Sequence, residues 1–159
     1  MLRVVEVKNK VYILMGSKSD LAHAEKVAET LKEFGVECEM RVASAHRTPA
    51  KVMKIVGEVE NEAVVLVGVV GLSNALSGML AGISTLPVIT LPTTPEDIMA
   101  SLRMPPGVAH ATVLDPKNAA LMAIKILALQ DPALKKKVRD FLQSQQDRIE
   151  KSDAEVRKR

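Results

Sequence analysis

The chain has 159 residues and a net charge of +3, with 47% apolar residues but only 2% aromatic and no Trp. That length suits one domain with a full core, and a core of Val, Leu, Ile, Met and Ala suits buried parallel strands. Without aromatic platforms, a base-stacking nucleic-acid reader is disfavoured.

Met1–Lys10 carries charges and no apolar run, so it reads as an N-terminal extension and not a signal peptide. Val11–Met15 is a short apolar run, hence a buried strand, and it ends in Gly16-Ser17-Lys18-Ser19-Asp20. Leu21, Ala24, Ala28, Leu31 and Phe34 then recur at helical spacing until Gly35 closes the helix. A strand, a small polar loop and a helix start make an anion-binding arrangement. Asp20 suits either a helix cap, the default for Asp there, or a sugar hydroxyl. The loop lacks the G-x-x-x-x-G-K-[ST] of a Walker P-loop. His23, among charged residues in mid-helix, is expected to face solvent.

Residues 36–42 alternate, with Val36, Cys38, Met40 and Val42 on one face, so a half-buried strand near the sheet edge is expected. Cys38 reads as core filler. As the only cysteine, it allows neither an intrachain disulfide nor a Cys-based metal site.

Next comes Ser44-Ala45-His46-Arg47-Thr48-Pro49. Ser44 and Arg47 suit an anion, Arg47 with its planar fork of donors. His46 suits proton transfer near neutral pH. Thr48 and Pro49 signal the cap and first turn of a helix running to about Glu60.

Residues 63–70 (AVVLVGVV) form the most apolar segment and are predicted to be the central strand. The strand runs into Gly71-Leu72-Ser73-Asn74-Ala75-Leu76-Ser77-Gly78, whose small residues allow close approach of a ligand. Further strands are predicted at 88–91 and 111–114. Between them lie a short helix opened by Thr94-Pro95-Glu96 and a rigid turn at Met104–Gly107. A helix follows from Pro116 to about Leu129. Asp131-Pro132 opens a last charged helix, and residues 132–159 hold nine Lys/Arg against five Asp/Glu. The interspersed acids make that tail a solvated helix face, with neither nucleic acid nor membrane as its partner. No stretch nears the ~20 apolar residues of a membrane span, so a cytoplasmic protein is expected.

This alternation predicts a single-domain three-layer α/β/α sandwich. Its sheet is parallel and Rossmann/flavodoxin-like, and a C-terminal helix is added at 131–159. Residues 11–130 form the α/β body, which the resemblance described below makes the expected catalytic domain. Ligands of such sheets bind beyond the carboxyl ends of the strands, so the loops at Gly16–Asp20, Ser44–Arg47 and Gly71–Gly78 are predicted to converge. There is no H-E-x-x-H, no Cys/His cluster and no G-x-G-x-x-G after the first strand, which leaves a metal or NAD unsupported. Gly71-Leu72-Ser73-Asn74-Ala75 approaches the G-x-S-x-G elbow, so a serine hydrolase using Ser73 with His46 or His110 is an alternative, on a chain short for that fold. A ribonucleotide-phosphate binding protein without turnover is another, although it has no need of His46.

Together, Gly16-Ser17-Lys18-Ser19-Asp20, Phe34-Gly35 and Ser44-Ala45-His46-Arg47-Thr48-Pro49 resemble the purine-biosynthesis carboxyaminoimidazole ribonucleotide family, over roughly residues 11–130. Its class I members are N5-carboxyaminoimidazole ribonucleotide (N5-CAIR) mutases. Its class II members are aminoimidazole ribonucleotide (AIR) carboxylases. Class I carries G-G-A-A-H-L-P-G where this chain has Gly71–Gly78, and Ala75 stands where class I has its second His. Ser101–Pro105 and Val113–Ala120 also look like class II. Leu72 departs from the class II Arg, and Arg47 is class I-like.

The resemblance implies carboxylation of AIR at C4 by CO₂, with N5-CAIR mutase as the alternative and no cofactor. It implies phosphate on Ser17, Ser44 and Arg47, ribose on Asp20, the heterocycle and carboxyl beside Gly71 and Ser73, and His46 moving the C4 proton. It also implies a homo-octamer.

Overall fold

A computed structural model describes residues 9–62, 64–94, 96 and 98–158. Strand β1 (Lys10–Met15) leads through a 3-10 turn (Lys18–Asp20) into helix α1 (Leu21–Glu33). There follow β2 (Glu37–Val42), α2 (Pro49–Val59), β3 (Val64–Val70), α3 (Ala75–Ile83), β4 (Val88–Pro92) and α4 (Ile98–Leu102). The chain then forms β5 (Ala111–Thr112), α5 (Pro116–Leu127) and α6 (Pro132–Val156). All strand pairs are parallel, in the order β2-β1-β3-β4-β5. This is the predicted α/β sandwich, in the flavodoxin-like strand order.

The period of two along each strand sorts the core into two layers. Val11, Ile13 and Met15 of β1 pack with Val65, Val67 and Val69 of β3 under α1, α5 and the start of α6. Tyr12 and Leu14 pack with Leu66 and Val70 under α2 and α3. Strand β3, buried along its whole length, is the middle strand as predicted. Each fully buried Val or Leu contributes roughly 1.5–3 kcal/mol relative to exposure, so the aliphatic sheet carries most of the stability.

Helix α6 is capped by Asp131, whose Oδ1 accepts from the backbone N–H of Ala133 and Leu134. It docks through Leu134 and Val138, through Lys137 Nζ donating to the Phe34 carbonyl at 2.8 Å, and through an edge-on contact of Phe34 with Phe141. Every described residue beyond Gln145 is exposed, as a solvated basic face requires.

Four expectations need correction. Met40 and Val42 are exposed (40% and 43%), because β2 is the edge strand and the core covers only Val36, just before it, and Cys38 near its start. Strand β5 is two residues long and not four, since Asp115 turns the chain into α5 by accepting from Asn118 N–H. Thr48 precedes α2 but does not cap it with its side chain. Its hydroxyl turns back to accept from Ser44 N–H at 2.9 Å. His23 is half-buried and not solvent-facing. Residues 1–8 of the predicted extension, Ala63, and Pro95 of the predicted α4 start lie outside the described residues.

Candidate active site

From β1 the chain steps to β2 on one side, then crosses back to β3 on the other. The loops after β1 and β3 therefore part at the β1/β3 boundary, where such sheets bind ligands. A cleft of about 530 Å³ lies there. It is lined by Ser17, Asp20, Ser44, His46, Arg47, Gly71 and Ser73 among others. The predicted site residues are thus gathered in one place, and the volume lies in the ordinary range for a small-molecule site.

Local hydrogen bonds explain the shape of each wall. Ser17 caps the 3-10 turn: its Oγ accepts from Ser19 N–H at 3.3 Å, while Asp20 Oδ2 accepts from Ser17 N–H at 3.2 Å. This reciprocal box corrects the reading of Asp20 as the side-chain cap of α1, which it is not. Ser44 Oγ accepts from Arg47 N–H at 3.2 Å. With their lone pairs engaged by backbone donors, Ser17 and Ser44 keep their O–H groups free to donate to an anion. Arg47 Nη2 donates to the Gly16 carbonyl at 3.0 Å and so ties the second loop to the first. Its remaining N–H donors are available to a ligand. His46 is exposed and makes no hydrogen bond among the described residues.

Gly71 lets the third loop close on the first. A Cβ placed there would lie 3.0 Å from Asp20 Oδ1. Asp20 is 7% exposed. Burial pushes its carboxyl above the ordinary 3.8, against smaller opposing effects of the Ser17 N–H and the neighbouring His23. The folded chain therefore holds this proton more tightly than the unfolded chain. Asp20 subtracts stability as pH rises from 3.8 through its raised folded value.

His110, whose role was open in the sequence, is engaged on both ring nitrogens, by Thr90 Oγ1 at 2.9 Å and Asn74 Nδ2 at 3.3 Å. Burial lowers its pKa below the ordinary 6.5. Among the described residues no hydrogen bond joins Ser73 to His46 or His110, so the parts of a serine-hydrolase triad are not assembled. Burial raises the Cys38 thiol, in keeping with filler and not a nucleophile. The described residues include no cluster suited to a metal and no helix long and apolar enough to cross a membrane. No sequence spacing signals the contact among Asn74, Thr90 and His110, because the three lie on separate elements.

A doubly wound sheet with hydroxyl, guanidinium, carboxylate and imidazole groups at its switch point places the chain among parallel α/β proteins whose ligand site lies at that point. The family described as AIR carboxylase matches residues 10–148. The chain is 46% identical to a phosphoribosylaminoimidazole carboxylase of Archaeoglobus fulgidus, over 93% of this chain and 85% of that protein. It is 42% identical to an N5-carboxyaminoimidazole ribonucleotide mutase of Methanocaldococcus jannaschii, over 92% of this chain and 97% of that protein. The crystal structure of Treponema denticola PurE superposes with a TM-score of 0.89 at 40% identity, covering 92% of this chain and 97% of that one. The chain belongs to the AIR carboxylase family.

Proposed function

We propose that the protein carboxylates AIR at C4 with CO₂ in purine biosynthesis. The observation that carries this reading is one cleft that gathers serine hydroxyls, a guanidinium, a buried carboxylate and an imidazole. Ser17, Ser44 and Arg47 take the 5′-phosphate, and Asp20 accepts from the ribose hydroxyls. The 5-amino lone pair pushes density to C4, which attacks the CO₂ carbon. A C–C bond forms, one C–O π pair becomes a carboxylate lone pair, and the C4 proton passes to His46 as the ring regains aromaticity. In the reverse direction His46 returns that proton. Gly71 and Ser73 border the heterocycle and the new carboxyl group, and no cofactor is needed.

Ala75, which lines the cleft where class I carries its second His, favours the carboxylase. The mutase is the second reading, favoured by Arg47 and by the Methanocaldococcus relative's name. Purified protein is expected to form 4-carboxy-AIR from AIR plus CO₂. Efficient use of N5-carboxy-AIR alone would reverse the choice. The reading extends to a cytoplasmic homo-octamer, in keeping with the exposed apolar residues Met40, Val42, Met99 and Leu102.

Asp20→Asn separates binding from stability. The amide keeps an acceptor for Ser17 N–H but carries no buried charge. Thermal melts across pH are expected to show a higher Tm at neutral pH and a flatter slope above 3.8. Calorimetric titration is expected to show AIR binding weakened roughly 10- to 100-fold, the scale of a lost hydrogen bond to a charged group. Unchanged affinity would remove Asp20 from the ribose site.

A further inference from the structure

We propose that His110 is a positioning residue that sets the Gly71–Ser73 wall of the cleft through Asn74. Of the six residues from Gly71 to Leu76, all but Asn74 line the cleft. Asn74 instead turns back into the body of the protein and is 4% exposed. Its Nδ2 meets His110 Nε2 at 3.3 Å, and His110 Nδ1 meets Thr90 Oγ1 at 2.9 Å. Thr90 is fully buried in the middle of β4. With the amide N–H donating, Nε2 presents its lone pair and Nδ1 carries the proton, given to Thr90. The imidazole is therefore a rigid spacer between an interior strand and a cleft loop.

The other end of the Asn74 amide does not compete for this role. Its Oδ1 is buried with no hydrogen-bond partner among the described residues. The His110 contact is thus the hydrogen bond that orients the side chain. At the loop's start, Thr94 Oγ1 donates to the Gly71 carbonyl at 3.0 Å. Leu72, 89% exposed, and Ser73 span the interval between these two anchors. That they face the carboxyl donor rests on the proposed carboxylase function. The bridge itself does not depend on that reading.

Two amides divide the imidazole's roles. A Gln side chain reaches the Nε2 position and keeps an acceptor for Asn74. An Asn side chain reaches only the Nδ1 position and keeps only the Thr90 partner. Hydrogen exchange of the 71–77 amides is expected to quicken roughly five- to tenfold in His110→Asn and in Asn74→Ala, the scale of one lost hydrogen bond. His110→Gln, which keeps the Asn74 acceptor but gives up the Thr90 partner, is expected to restore much of the wild-type protection. In the same two impaired variants kcat is expected to fall and the KM for CO₂ to rise, while AIR affinity falls less, because the phosphate and ribose groups lie on the other loops and only the heterocycle borders this wall. The double variant His110→Asn/Asn74→Ala is expected to be no worse than either single one. Equal exchange in His110→Asn and His110→Gln, or additive losses in the double variant, would overturn the bridge. Wild-type protein that turns over neither ribonucleotide would instead sink the proposed function, with the exchange comparison still deciding the bridge.

Discussion

Replacing His46 by Asn is expected to lower kcat by about 10²- to 10⁴-fold, the usual scale of a positioned acid–base group, while AIR still binds. The structure separates these two effects. The loop that carries His46 is held by the Ser44–Arg47 hydrogen bond, the three Ser44–Thr48 hydrogen bonds and the Arg47 tie to Gly16. None of these uses the imidazole. The exposed ring can therefore be exchanged for an amide of similar shape without loosening the phosphate groups. Asn hydrogen-bonds but does not titrate, so it holds a substrate and cannot take the C4 proton. Calorimetric titration with AIR and steady-state rates on the same preparation check the two halves. Near-normal turnover in the variant would remove His46 from the chemistry. Lost binding with unaltered turnover per bound substrate would make it a ligand contact instead.

The site was legible in the chain to the degree that its chemistry is local. Ser17 follows the apolar run of β1, Ser44, His46 and Arg47 follow the alternating strand β2, and parallel topology then brings their loops to one edge. Where one short segment offers several hydrogen-bond geometries, the sequence alone does not choose among them. Asp20 has the position of a cap for α1, yet Ser17-x-x-Asp20 is itself a capping-box pattern and closes the turn before the helix. Thr48 has the position of a cap, but Ser44 four residues earlier competes for its hydroxyl and wins. Met40 and Val42 keep the alternation of a half-buried strand, and periodicity cannot say that no helix reaches that end of the edge. The link from Asn74 to His110 spans 36 residues and depends on where β4 sits. No pattern in the chain encodes it.

The glycine in the middle of β3 is a further case, and it carries the second large effect. Within Val64–Val70 a Gly weakens strand propensity, so its presence calls for a close neighbour. That neighbour is Ser77 of α3. A Cβ at position 68 would lie 2.3 Å from Ser77 Oγ and 3.3 Å from its Cβ. Gly68→Ala therefore has to turn the Ser77 hydroxyl aside and shift α3 outward by a few tenths of an ångström, at a cost of about 1–3 kcal/mol as overpacking. Because α3 begins at Ala75 and carries Leu76, both lining the cleft, the same displacement is expected to raise the KM for the ribonucleotide. Ser77→Ala alone is expected to be neutral or mildly stabilising, since the Ser77 hydroxyl is fully buried without a hydrogen-bond partner among the described residues. Combining the two removes the 2.3 Å clash but leaves the tighter-than-usual Cβ contact. The double variant should then recover part of the lost stability and part of the KM. Urea melts of the four proteins read the coupling directly, expected at about 0.5–3 kcal/mol for residues in contact. Strictly additive melts would mean that the helix is held at its present height by something other than this one serine against this one glycine.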